Sequence, residues 1–135
     1  MTTPVKELRG MVDGLADKLK EKGLTTNEKY LMATAGPKDR RELAKEMGVD
    51  DKVILELANR ADLARIKGVS GVFSDLLEHA GVDTVKELAT RNAANLHAKI
   101  IEVNSEQNLA GRAPTASDVE NWVQQAKELP KILTY

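Results

Sequence analysis

The sequence predicts an all-α fold, and three observations predict it. No stretch of useful length alternates apolar and polar residues at the strand period. Short amphipathic runs recur instead, each bracketed by capping residues, glycine or proline. The chain also nearly repeats itself. Leu8-Arg9-Gly10-Met11-Val12-Asp13-Gly14-Leu15 runs parallel to Ile66-Lys67-Gly68-Val69-Ser70-Gly71-Val72-Phe73, 58 positions later. The register holds from Gly23-Leu24-Thr25-Thr26 to Gly81-Val82-Asp83-Thr84. A repeat of this length implies one structural unit used twice. The expectation is a single compact domain of about ten short helices over residues 1–135. Pseudo-repeat one spans 1–58, pseudo-repeat two spans 59–129, and a short tail covers 130–135.

Each element has its own signal. Leu15, Ala16 and Leu19 share a helical face that ends at Gly23, suited to a left-handed C-cap. Thr25 and Glu28 have capping-box spacing and restart a helix, which Gly36-Pro37 stops. Leu43, Ala44 and Met47 line the next helix, closed by Gly48. Asp50 or Asp51 caps a helix with Val53, Ile54, Leu57 and Ala58 inward. Asn59 to Asp62 reads as a bend into a short helix, Leu63 to Ile66. Beyond Lys67–Gly71, a helix buries Val72, Phe73, Leu76, Leu77 and Ala80. Gly81 ends it, and Asp83 caps a short helix with Val85, Leu88 and Ala89. Asn92 caps a longer one with Ala93, Leu96, Ile100 and Val103 at helical spacing. Asn108 to Pro114 is an open loop. Thr115 and Asp118 then have capping-box spacing, and Val119, Trp122, Val123 and Ala126 form one stripe before Pro130. The tail, Ile132 to Tyr135, either docks a partner or folds back on the core, and folding back is favoured.

Composition narrows the function classes. The chain carries 20 Lys plus Arg against 21 Asp plus Glu, so it lacks the excess of a DNA-coating protein. Any anion site must therefore be local. One Phe, one Trp and two Tyr are too few for single-strand stacking platforms. Cysteine is absent, which excludes disulfides and thiolate metal sites and suits a reducing cytoplasm. No apolar stretch approaches the ~20 residues of a membrane helix. A soluble cytoplasmic protein without a cofactor is expected.

Three segments carry a family resemblance. They are Asn59 to Val69, Leu77 to Leu88, and Val119 to Lys127, with Arg91-Asn92 and Glu102-Val103-Asn104 between. Together they resemble a bacterial domain-of-unknown-function family built on degenerate helix-hairpin-helix repeats. The resemblance implies tandem hairpins related to those of DNA repair and recombination proteins, and implies no established activity.

A helix-hairpin-helix holds one phosphate with backbone N–H groups of a Gly-apolar-Gly turn at a helix N-terminus, without reading sequence. The second hairpin offers Gly68-Val69-Ser70, with Ser where a second Gly is usual and Gly71 one place later. Arg60, Arg65 and Lys67 crowd the preceding segment, opposed locally by Asp62. The candidate nucleic-acid contacts are therefore Arg60, Arg65, Lys67, Gly68, Val69, Ser70 and Gly71. Arg60 has a competing reading, pairing with Asp62 or capping the preceding helix. The first hairpin, Gly10-Met11-Val12, lacks the second Gly and is followed by Asp13, which would fill the anion site or repel a phosphate.

Catalytic patterns are absent from the sequence. Gly68-Val69-Ser70-Gly71 is no nucleophile elbow, since Val72 stands where a second Gly is required. No phosphate-loop or dinucleotide glycine motif occurs. His79 and His97 stand 18 residues apart without metal-ligand spacing, and Trp122 reads as core. The reading is a non-enzymatic binding module that touches duplex DNA weakly at two to four phosphates. Its rival is a protein-interaction adaptor whose hairpins have lost DNA binding. Neutral charge and the degraded first hairpin favour the rival; the resemblance and the Arg60/Arg65/Lys67 cluster favour DNA.

Overall fold

A computed structural model describes residues 2–69 and 71–135. Among them stand eight α-helices and a 3-10 turn at Val5–Glu7. An isolated bridge between Pro4 and Thr26 is the only extended pairing in that set. The helices are α1 (Leu15–Glu21), α2 (Asn27–Ala33), α3 (Pro37–Met47), α4 (Asp51–Leu63), α5 (Val72–His79), α6 (Val85–Ala89), α7 (Ala93–Gln107) and α8 (Ala116–Glu128).

Eight helices rather than ten follow from two departures. The expected bend at Asn59–Asp62 is absent, because α4 runs unbroken from Asp51 to Leu63. No Gly or Pro interrupts that span, and Asn59 and Arg60 alone do not break a helix. The segment ahead of Gly10 also forms a 3-10 turn at Val5–Glu7 in place of a further α-helix. Two caps move by one residue. Thr26, not Thr25, accepts from the Lys29 N–H, and Thr84, not Asp83, accepts from the Glu87 N–H. Asp50 caps α4 through the Lys52 N–H, and Asn92 caps α7 through the Asn95 N–H. The box at Thr115 and Asp118 forms in both directions.

The 58-residue offset recurs in backbone hydrogen bonds. The Met11 N–H donates to the Leu8 carbonyl at 3.3 Å, and the Val69 N–H to that of Ile66 at 3.1 Å. Leu24 closes on Leu19 at 2.9 Å, as Val82 does on Leu77 at 2.8 Å. Each closure follows a left-handed glycine, Gly23 at φ 85° and Gly81 at φ 92°, which satisfies carbonyls left open at a helix end.

The chain divides into two units, Met1–Arg65 with Ile132–Tyr135, and Ile66–Lys131. In the first, α4 packs on α2 and α3. Its core joins Leu15, Leu19, Tyr30, Leu31, Leu43, Ile54 and Leu57, with Leu133 from the tail. Buried polar groups are spent internally: Asn27 accepts from the Thr3 N–H and donates to the Ala61 carbonyl, and the Tyr30 hydroxyl donates to that of Ile54. Burial pushes the Tyr30 hydroxyl pKa well up, and Arg40 opposes this only in part. Arg40 also fixes the tail. Its guanidinium donates to the carbonyls of Thr34, Ala35 and Thr134, and lies 5.4 Å from the Tyr135 ring centre. In the second unit, α8 packs on α6 and α7, and α5 on α7. Ile66, Val69, Leu76, Leu77, Val82, Leu88, Ile100 and Val119 are its fully buried apolar residues.

Candidate functional site

The predicted contacts separate into two sets. Arg60 and Arg65 belong to the first unit, whereas Lys67, Gly68, Val69 and Gly71 belong to the second. Ser70 lies outside the described residues.

Both arginines are engaged locally. Arg60, 7% exposed, donates from Nε to Glu56 Oε1 at 3.2 Å, one helical turn back. Arg65, 9% exposed, donates from Nη1 to Asp62 Oδ1 at 2.8 Å, and Asp62 is itself buried. A buried arginine paired with a buried carboxylate satisfies that charge rather than projecting it. The sequence placed these cations near a turn, but helical spacing to Glu56 and Asp62 directs them back onto their own segment.

The turn in the second unit keeps a different inventory. Lys67 is exposed, and its ammonium has no partner among the described residues. Its peptide is held from α8: Gln125 Oε1 accepts from the Lys67 N–H at 2.8 Å, and Gln125 Nε2 donates to the Lys67 carbonyl at 3.2 Å. The Val69 N–H is used within the turn by the Ile66 carbonyl, and the Val69 side chain is core. Gly68 is exposed at φ 93°, and a Cβ there would stand 3.1 Å from Trp122 Nε1. Gly71 precedes α5 at φ 49° and gives it no side-chain cap. Its carbonyl accepts from the Asp75 N–H and the Ser74 hydroxyl. Gly71 itself thus offers α5 no capping side chain, and Asp75 in the first turn reduces the positive potential there.

Sequence reasoning missed Gln125 and Trp122 as neighbours of this turn. Their positions on α8 gave a core stripe and a polar face, and no spacing signal connects them to Lys67 or Gly68. The corresponding turn of the first unit has Gly10 at φ 92° and Gly14 at φ 80° ahead of α1, with Asp13 exposed between them.

Two further clefts lie among the described residues. One of about 320 Å³ lies between Pro4–Lys6, Ala16, Asp17, Lys20 and Thr25. The other, about 240 Å³, is lined by Ala80, Thr90, Arg91, Asn92, Asn95, Leu96 and Lys99. Neither lining pairs a nucleophile with a general base. His97 lies instead against the Pro114 carbonyl, at 3.1 Å from Nε2. Among the described residues no cluster of His, Asp and Glu could hold a metal ion, and no helix is long and apolar enough to cross a membrane.

The chain belongs to the family described as Domain of unknown function (DUF4332), whose model matches residues 9–129. No curated protein and no solved structure matches it.

Proposed function

We propose that this member of a family without assigned activity is a non-catalytic binding module of helix-hairpin-helix type, acting in the cytoplasm. Its turn at Lys67 and Gly68, with Gly71 ahead of α5, contacts the phosphate backbone of duplex DNA without reading sequence. The observation that carries the reading is the turn's composition. An exposed left-handed Gly68 sits beside an exposed, unpartnered Lys67, directly ahead of a helix whose N-cap is Gly71. Backbone N–H groups at such a helix start suit one phosphate oxygen, and the lysine supplies the charge.

The footprint is smaller than the sequence suggested. With Arg60 and Arg65 engaged in pairs, Lys67 remains as the turn's cation, so about one phosphate is neutralised. That predicts binding at the weak end of the non-specific range, near ~10⁻⁴ M. It also predicts a log K against log salt slope of about −0.9.

Fluorescence anisotropy of a labelled duplex, across a salt series from low to physiological, tests this. Binding with a slope near −1 that is lost in Lys67→Glu is the expected result. Silence at low salt and high protein sinks the reading and leaves the second one, a protein-interaction adaptor whose hairpin no longer meets DNA. The burial of Arg60 and Arg65 favours that second reading, because it removes two of the three cations the contact would use.

A further inference from the structure

We propose that the indole N–H of Trp122 donates to a phosphate oxygen bound beside Lys67 and Gly68, which makes this core tryptophan part of the ligand site. The inference rests on the phosphate reading given above and adds to it a side-chain donor.

Trp122 is 3% exposed and its ring meets Phe73 at 5.6 Å with a 49° tilt. An indole nitrogen is a donor only, and a buried one ordinarily finds an acceptor. Trp122 has none among the described residues. No fully buried side-chain nitrogen or oxygen lacks a partner there, so Nε1 must reach solvent. The place it reaches is fixed by Gly68, whose Cβ, if it had one, would lie 3.1 Å from Nε1. Glycine at this position therefore does two things. It permits φ 93°, and it leaves the indole nitrogen uncovered.

Other groups shape or meet the same turn. Gln125, three residues after Trp122 on α8, clamps the Lys67 peptide. Phe73, in the first turn of α5, touches the Trp122 ring, so the start of that helix is adjacent. An indole N–H open to solvent, the start of a helix and a lysine ammonium together favour an anionic acceptor over a neutral one. A phosphate oxygen has the lone pairs to accept from more than one of them. Asp75 sits one turn into α5 and sets an upper limit on affinity by like-charge repulsion.

The chain has a single tryptophan, so the ¹⁵N-labelled protein gives one indole cross-peak. The full chain is titrated in two arms, one with a short DNA duplex and one with inorganic phosphate. The expected result is a saturable shift of that peak with duplex. Trp122→Phe should then weaken duplex binding about tenfold while keeping the helical circular dichroism, the loss of one charge-assisted hydrogen bond. A shift with inorganic phosphate alone supports the donor role for free phosphate and removes the nucleic-acid reading. A peak that moves in neither arm overturns the proposal, whether or not the duplex binds by anisotropy. Where duplex binds and the peak stays still, the phosphate contact survives and Trp122 is excluded from it. The wild-type titration decides the matter even if Trp122→Phe folds poorly.

Discussion

Gln125 holds the Lys67 peptide from both sides, accepting its N–H at 2.8 Å and donating to its carbonyl at 3.2 Å. The same amide donates to Asn121 Oδ1 at 2.6 Å, so its orientation is set from its own helix. Replacing it by an apolar residue of similar size removes both bonds to the turn. Gln125→Leu should cost about 1–2 kcal/mol of stability, since both groups remain near solvent and regain water. Hydrogen exchange at the Lys67 amide should accelerate more than at the amides inside α8. Equal acceleration throughout would mean the clamp is incidental to the turn.

Arg65 and Asp62 are a buried pair at 2.8 Å, and their response to substitution separates a structural role from a ligand role. Arg65→Met leaves the Asp62 carboxylate buried without this partner, which costs about 3–5 kcal/mol. The double variant Arg65→Met with Asp62→Leu should recover part of that, because the carboxylate that lost this partner is then removed as well. Urea unfolding of the single and double variants measures the coupling. If Arg65→Met is neutral for stability yet reduces duplex binding, the arginine belongs to the ligand site after all.

Fold class was legible in the sequence because helix ends are local events. Gly23, Gly48 and Gly81 stop helices by admitting positive φ, and Thr115 with Asp118 starts one through bonds three residues apart. The run through Asn59–Asp62 was misread because propensity there is neutral, and a neutral run in a helix continues when its apolar face is buried. Leu57, Ala58, Ala61 and Leu63 supply that face. The site was less legible for a different reason. Lys67 and Gly68 could be picked out by motif, but the residues that shape their turn, Trp122 and Gln125, are distant in sequence and arrive by tertiary packing. Burial of Arg60 and Arg65 is equally a packing outcome, hidden from a count of local charges.

Arg40 shows how the C-terminal segment is retained. It donates to the Thr34, Ala35 and Thr134 carbonyls at 2.9, 3.0 and 2.6 Å, and the Thr134 N–H donates to the Ala35 carbonyl at 2.8 Å. Arg40→Met removes this donor from all three carbonyls, although that of Ala35 keeps the Thr134 N–H, and should cost about 2 kcal/mol by urea unfolding. Arg40→Lys should recover little, because an ammonium cannot reproduce the planar fork that meets three acceptors. Full rescue by lysine would show that charge alone, not geometry, ties the segment down.

Asp118 gives a pH dependence with a defined sign. The Thr115 N–H, then the Thr115 hydroxyl, and more distantly Arg112, hold its carboxyl below the usual carboxylate range. A group depressed in the folded state stabilises above its unfolded pKa of about 4, and that contribution is lost as pH falls through the folded value. Asp118→Asn should therefore unfold more readily than wild type near neutrality. The difference should shrink as pH drops below the ordinary carboxylate range. Thermal melts across that range check this, and a gap between the two proteins that widens towards acid would contradict it.

Gly10 and Gly68 sit 58 positions apart at φ 92° and 93°, so alanine carries the same backbone penalty at each, about 1–2 kcal/mol. Their surroundings differ. A Cβ at Gly10 meets the Glu56 Cγ at 3.3 Å, part of a flexible side chain that can swing aside. A Cβ at Gly68 meets Trp122 Nε1 at 3.1 Å, on a ring fixed in the core against Phe73. Gly68→Ala should thus destabilise more than Gly10→Ala, because the rigid ring must shift to admit the methyl group. It should also perturb the single tryptophan's fluorescence, which Gly10→Ala should leave unchanged. Equal destabilisation by the two substitutions, with tryptophan emission unmoved in both, would show that the indole does not press on the turn as described.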